Sequence, residues 1–309
     1  MKTRRKLAPR TGHRTRPLAA QDLADVVKID AALSARPRGA YFQRRLAAAQ
    51  REPEKHIQLA VEEDGALAGY MLGRALEGEF GRTEPEARLE AFGVSPAAQG
   101  RGLGRALAAA FEDEARRRGV HELRTAGTWR EHSLLRFLDR AGYCLAPSHV
   151  LERPAGTELD AEARDAFDLA VLQESDLEGV ARVDRGHTGR DRRGYLCRAL
   201  REALADSAVR VSLVARVDGA VAGYLMARVD YGDFGRPEPA AVLDTVGIDP
   251  RRLRLGIGTA LLSQLLMNLS ALGVERVETV VAAGDLDLLG FFDRAGFRPS
   301  ERLAFLKRL

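Results

Sequence analysis

Leu103, Ala106, Leu107, Ala110 and Phe111 fall on one stripe at helical spacing, and Gly119 follows Arg116-Arg117-Arg118 where such a helix should stop. Upstream, Asp22 to about Leu33 has the same periodicity through Leu23, Val26, Val27 and Ile29, and Arg36-Pro37-Arg38-Gly39 breaks it. A second helix is predicted from Tyr41 to about Gln50, closed by Pro53. Ile57–Val61 and Leu67–Leu76 have strand composition around the turn residues Glu63-Asp64-Gly65, which predicts an antiparallel hairpin. Arg14–Leu18, Ala87–Val94, Glu122–Thr125 and Tyr143–Leu151 read as further strands, and Ser133–Arg140 as a helix.

The same script is then repeated. Gly102 recurs as Gly256, 154 residues later, and the offset holds for Asp22-Leu23 on Asp176-Leu177 and Gly69-Tyr70 on Gly223-Tyr224. Phe80-Gly81-Arg82 likewise falls on Phe234-Gly235-Arg236, and Arg140-Ala141-Gly142 on Arg294-Ala295-Gly296. A constant, gapless offset of this length indicates a duplicated globular domain rather than a solenoid unit. The expected division is a basic tail over 1–13, a first domain over 14–152, a linker over 153–167 and a second domain over 168–309. Each domain mixes early hairpins with one later crossover, which predicts an α/β fold: a mixed, mostly antiparallel sheet with helices on both faces.

Composition changes this picture little. The chain has 309 residues, 45% of them apolar and 30% charged, so two domains of roughly 150 residues can each bury a core. No apolar run nears the roughly 20 residues that span a bilayer. The net charge of +4 comes from the tail, where Lys2, Arg4, Arg5, Lys6, Arg10, Arg14 and Arg16 meet no acid, and the remainder is mildly acidic. That tail reads as a disordered start, which disfavours a nucleic-acid function. Cys144 and Cys197 sit at non-equivalent places, so they are read as buried fillers in a reducing, cytoplasmic setting. His13, His56, His121, His132, His149 and His187 show no metal spacing, and no metal is expected.

Chemistry concentrates at Gln99-Gly100-Arg101-Gly102-Leu103-Gly104, between a strand end and a helix start. Unpaired N–H groups at a helix N-terminus, together with its dipole, suit a phosphate, and glycine lets the ligand reach the backbone. The competing reading is a tight strand-to-helix turn. Gly-Lys-Ser/Thr is absent, which argues against a nucleoside triphosphatase, and Arg105 stands where a dinucleotide fingerprint needs its third glycine.

These residues resemble the GNAT superfamily of N-acetyltransferases: a strand, Ser-Pro or Asp-Pro, a loop of the form Gln/Arg-x-x-Gly-x-Gly, and an amphipathic helix. Phe137-Leu138-Asp139-Arg140-Ala141-Gly142-Tyr143 and its repeat Phe291 to Phe297 look like the family's later helix-to-strand motif. The resemblance implies that Gly100, Arg101, Gly102, Leu103 and Gly104 cradle the pyrophosphate of acetyl-coenzyme A. Phe92, Gly93 and Val94 would pair with its pantetheine arm where two strands splay. The second site would use Val246, Gly247, Ile248, Gly256, Ile257 and Gly258. The two loops differ, because Leu253 replaces Gln99 and Leu255 replaces Arg101. The first half is therefore expected to be the catalytic one.

Removal of an ammonium proton before attack needs a base. Glu90 and Asp244, on the strands feeding the two loops, are the residues the resemblance points to, with a surface carboxylate as the alternative. The family's tyrosine acid is missing, since Leu138 and Phe292 stand there, and Glu131 and Asp285 replace the usual Asn. Tyr70 and Tyr224 read as core. Trp129 would line an acceptor pocket or pack.

The acceptor loops are 34–38 and the arginine-rich 185–193. Glu79–Arg82 and Asp233–Arg236 read as shared turns beside them. The implied activity is acetyl transfer to a primary amine, small-molecule or peptide, by direct attack. The alternative is a non-catalytic acyl-coenzyme A-binding regulator or scaffold. The duplication further implies an internal pseudo-dimer.

Overall fold

The structure, a computed structural model, describes residues 12–34, 38–76, 85–205, 211–230 and 240–309. The basic tail before residue 12, residues 35–37 of the first acceptor loop, and the expected turns Glu79–Arg82 and Asp233–Arg236 lie outside them, whereas Arg14 and Arg16 of the basic start are strand residues.

The elements run β1 (His13–Pro17), α1 (Leu23–Ser34), α2 (Gly39–Arg51), β2 (His56–Glu63), β3 (Ala66–Leu76), β4 (Glu86–Val94) and α3 (Leu103–Arg117). Then come β5 (Glu122–Thr128), α4 (His132–Arg140), β6 (Cys144–Leu145), β7 (Ser148–Pro154) and α5 (Ala161–Asp165). The second repeat supplies β8 (Asp168–Val171), α6 (Leu177–Thr188), α7 (Arg193–Ala205), β9 (Leu213–Val217), β10 (Ala220–Asp230), β11 (Ala240–Ile248) and α8 (Ile257–Ala271). It closes with β12 (Arg276–Ala282), α9 (Leu286–Arg294), β13 (Arg298–Pro299) and β14 (Arg302–Arg308). From α1 to β7 the bounds recur in the second repeat at the same offset as the sequence, β2 excepted. The mixed α/β class read from the sequence is what the protein has.

The described residues pack as two compact units, one within 1–75, 87–120 and 309, the other within 76–86 and 121–308. In the first unit β1 pairs antiparallel with β2, and β2 with β3. Val26, Ile29, Phe42 and Leu46 of α1 and α2 bury against Tyr70, Leu72 and Ala91 of the strands. Arg16 of β1 is no part of a free tail: its guanidinium holds Asp22 at 2.7 Å and Glu62 at 2.6 Å.

The second unit contains a sheet ordered β13-β7-β12-β11-β10-β9-β8. Strand alternation separates two cores. Leu213, Ala215, Leu225 and Ala227 face Leu261, Leu262 and Leu265 of α8, while Val214, Tyr224 and Met226 face Val180, Val183, Leu196 and Leu200 of α6 and α7. Helices therefore cover both faces.

Each repeat's last strand lies in the other repeat's sheet. β7 enters between β12 and β13, with Ser148–Pro154 paired antiparallel to Ala282–Arg276. β14 enters between β5 and β6, with Arg302–Arg308 paired to Thr128–Glu122. This exchange explains why residues 121–154 pack with the second repeat. The segment read as a linker is tied down: Asp160 caps α5 by accepting from Ala163 N at 2.8 Å, and Asp160 N donates to Ser263 Oγ at 3.1 Å.

Candidate active site

Both glycine loops bring a strand into a helix through one backbone path. In the first, a 3-10 turn at Pro96–Ala98 leads to Gly100 at φ 79° and to Gly102 at φ 90°, ψ 0°, the N-cap of α3. In the second, Pro250–Arg252 leads to Arg254 at φ 62° and Gly256 at φ 91°, ψ −6°, the N-cap of α8. Neither Gly102 nor Gly256 receives a side-chain cap, so the first N–H groups of each helix keep their donors for a ligand. Leu103 and Ile257 are buried and anchor the helix from beneath.

The side chains differ. Gln99 Nε2 donates to Val94 O at 3.1 Å, and Arg101 binds Glu63 at 2.8 Å and Ala97 O at 2.9 Å. Their counterparts Leu253 and Leu255 are exposed. The carbonyl equivalent to that of Val94 belongs to Ile248, and there His187 Nε2 lies in close hydrogen-bonding contact.

A slot opens in the second sheet. β11 pairs in parallel with β12 only over Ala240–Val242, and Thr279 Oγ1 then takes Leu243 O at 3.1 Å. Asp249 N donates to Ala222 O at 2.8 Å, and Tyr224 stands opposite Gly247. Antiparallel alternation therefore turns the main-chain groups of Val246 and Ile248 away from β10, toward the open edge. A cavity of about 1100 Å³ lies there, bounded by Val246–Ile248, Arg252–Arg254, Gly256–Thr259, Leu288 and Phe291, and by Asp184, His187, Thr188, Tyr224 and Thr245. Its volume suits a large, elongated ligand.

Two buried triads lie at equivalent places in the repeats. Tyr70 Oη donates to Asp30 Oδ1 at 3.0 Å, and Arg38 Nε donates to Asp30 Oδ2 at 2.9 Å. Tyr224, Asp184 and Arg192 repeat this at 2.9 Å and 3.0 Å. Burial, and then the neighbouring aspartate charge, push both phenols well above the usual tyrosine range. Such tyrosines hold their protons, in keeping with the core reading. A Cβ at Gly93 or Gly247 would lie 2.9 Å or 2.5 Å from the tyrosine ring, so these glycines seat it.

The two carboxylates read as bases are engaged by arginine. Glu90 is 1% exposed, with Oε1 at 3.4 Å from Arg45 and 3.6 Å from Arg74. Asp244 pairs closely with Arg228 and does not line the cavity. Leu138 and Phe292, at the tyrosine-acid position, are fully buried, whereas Phe291 lines the cavity. Asp285 caps α9 through Leu288 N at 3.1 Å, while Glu131 makes no such bond.

The segment 185–193 read as an acceptor loop is loop only over 189–192, because its first four residues close α6 and Arg193 opens α7; Arg192 is spent on Asp184, Arg193 on Glu178 and Arg185 on Asp191. Trp129 is half exposed, with the Arg130 guanidinium 5.5 Å from its ring. Cys144 is exposed rather than a buried filler, and both thiols are free. Among the described residues no group of three or more His, Cys, Asp or Glu is placed to hold a metal ion. Sequence reasoning held His187 only as part of the 185–193 segment and missed Thr245 as a wall residue; a further signal was asymmetry, since Leu33 and Ala91 occupy the equivalent places.

The profile of the acetyltransferase (GNAT) family matches residues 24–143 and 181–297. A mycothiol acetyltransferase of Clavibacter michiganensis subsp. michiganensis (strain NCPPB 382) is 33% identical over 219 residues, covering 66% of this chain and 67% of its own. A tandem GNAT protein from the clavulanic acid biosynthesis pathway superposes with TM-score 0.68 at 18% identity, over 96% of this chain and 98% of its own. A glucosamine N-acetyltransferase region of a fungal multi-domain GH3 β-N-acetylglucosaminidase gives TM-score 0.67 at 15% identity, over 97% of this chain but 38% of that longer one.

Proposed function

We propose that this chain, which belongs to the acetyltransferase (GNAT) family, moves an acetyl group from acetyl-coenzyme A to a primary amine by direct attack, without a covalent enzyme intermediate. One observation carries this reading: the open edge of β11 runs directly into the uncapped N-terminus of α8, along one continuous cavity. The N–H groups from Leu255 to Gly258 would hold the pyrophosphate. Val246 and the N–H of Ile248 would pair with the pantetheine amides, while Gly247 keeps Tyr224 in place. By equivalence, Gln99 to Gly104 and Phe92 to Val94 would do the same in the first half, with Gln99 shaping the loop.

The sequence favours catalysis in the first half. The cavity of the second half, with its polar wall, supports donor binding there as well, so the proposal includes two donor sites. Glu90 and Asp244 are assigned charge-anchoring roles within it, since arginine engages both and Asp244 does not line the cavity. The strand exchange supports an internal pseudo-dimer. Two free thiols fit a reducing, cytoplasmic compartment. Among the described residues no helix is long and apolar enough to cross a membrane.

Calorimetry with acetyl-coenzyme A tests the reading. Two sites are expected, one lost in Gly102→Val and the other in Gly256→Val, since a Cβ at these positive φ values strains the cradle and fills it. No heat at millimolar ligand rejects donor binding. Release of free thiol should then depend on an added amine: glucosamine, spermidine, 2-phenylethylamine, a peptide α-amine or the acceptor of the mycothiol enzyme. Binding without amine-dependent release supports instead the non-catalytic regulator.

A further inference from the structure

Two substitutions that look unrelated in the sequence meet at one carbonyl. In the first repeat the outward-facing carbonyl of Val94, at the end of β4, is held by Gln99 from the glycine loop. In the second repeat Gln99 has become Leu253, and the equivalent carbonyl of Ile248 is held by His187 instead. His187 lies in the last turn of α6, where the first repeat has Leu33. Donor and apolar residue have thus exchanged places between the loop and the helix. The carbonyl at the mouth of the slot is satisfied in both repeats, by an amide in one and by an imidazole in the other.

The chemical consequences differ. A carbonyl oxygen can only accept, so the Nε2 atom of His187 must carry the proton. In the neutral ring this leaves the lone pair on Nδ1, as a carboxylate or carbonyl partner does for other basic histidines. Gln99 offers no such lone pair. His187 is exposed and lines the cavity beside the open edge of β11, so a proton taken there has a path to water. The charged groups sharing that wall are Asp184, Arg252, Arg254, Asp285, Asp287 and Arg294. Asp184 is committed to Arg192 and Tyr224, Asp285 accepts from the Leu288 N–H, and Asp287 lies beside it in the first turn of α9.

We propose that His187 is the general base of the second site, with its tautomer set by the Ile248 carbonyl; this rests on the acetyl-transfer reading. Nδ1 takes one proton from the acceptor ammonium. The freed amine attacks the thioester carbonyl, forming the C–N bond. Collapse of the tetrahedral intermediate breaks the C–S bond, and the departing thiolate takes the second nitrogen proton. The imidazolium keeps its donation to Ile248 and returns its proton to water. The products are the acetamide, the free thiol and one released proton.

Glutamine separates the two roles of the ring, because it preserves the donation, as Gln99 does, but accepts no proton. The experiment uses the full chain carrying Gly102→Val, so that only the second site is filled, with acetyl-coenzyme A and the panel amine that releases thiol fastest. His187→Gln should keep donor affinity within about threefold and lower kcat about 100-fold, removing the acidic limb of the pH profile. His187→Ala should be inactive and regain at least about tenfold with added imidazole, an effect a purely structural ring would not give. Thiol release by His187→Gln within about threefold of the parent, or no rescue of the alanine variant, overturns the role of His187 alone. A parent protein that binds the donor yet transfers to no amine overturns the acetyl-transfer reading, and this proposal with it.

Discussion

At Gly102 and Gly256 the backbone φ values are 90° and 91°, yet the side chains around the two turns share little. Gln99 and Arg101 tie the first loop to Val94, Ala97 and Glu63, while Leu253 and Leu255 leave the second loop's polar support to a helix 60-odd residues upstream. Arg254 even adopts the positive φ that glycine holds at position 100. A main-chain cradle is indifferent to most of its side chains as long as its exposed carbonyl finds some donor. What diverges between the repeats is therefore not whether the loop forms but which chemistry surrounds it.

The carboxylates show the same contrast. Glu90 is clamped by Arg45 and Arg74, whereas Asp244 has Arg228 but no second arginine from α7, because Ala199 stands opposite Arg45 in the repeat. The tyrosine–aspartate–arginine triads did not diverge. Breaking both is the most forceful test of that equivalence. Asp30→Ala and Asp184→Ala each take the carboxylate away from a buried guanidinium, and each should cost about 3–5 kcal/mol. Thermal denaturation of the full chain reads this out, and a loss confined to one variant would mean that the repeats share geometry but not energetics.

An alkaline titration comes next in size. Burial keeps Tyr70 and Tyr224 protonated in the folded protein after the unfolded chain ionises its tyrosines above about pH 10. Since the folded-state value is the raised one, the stabilisation is present below that pH and is lost as pH rises. Each phenol steepens the loss by about 1.4 kcal/mol per pH unit. Tyr70→Phe or Tyr224→Phe should flatten the slope by equal amounts in urea melts, and unequal slopes would separate the two cores.

Reciprocal loop exchange should give the smallest effect. Gln99→Leu removes one neutral hydrogen bond, worth about 0.5–1.5 kcal/mol, and should weaken donor binding at the first site no more than about tenfold. Leu253→Gln should leave the second site nearly unchanged while His187 holds Ile248. A strong gain on Leu253→Gln by calorimetry would contradict the idea that His187 already supplies that bond.

The duplication, the two helix-opening glycines and the order of elements were legible from the chain alone, apart from α5 within the expected linker and the division of Tyr143–Leu151 into β6 and β7. Period-2 and helical spacing, turn residues and a constant offset are local features of sequence. Tyr70 and Tyr224 were also correctly read as core, since strand alternation points them into the layer beneath α1 and α6. Cys144 was not readable as exposed, because a two-residue strand has no periodicity to set its face.

The partner of the last strand was beyond the sequence for a related reason. β7 and β14 come from equivalent positions with the same strand character, so either could complete either sheet; only the assembled fold placed β7 beside β12 and β14 beside β5. The exchange of Gln99 for His187 was hidden likewise. The sequence displays Leu253 as a loss and His187 as an isolated histidine, and they become one feature only when α6 is laid against the end of β11. Spacing along a chain determines which residues can form an element, whereas the distances that decide chemistry are set by how elements pack.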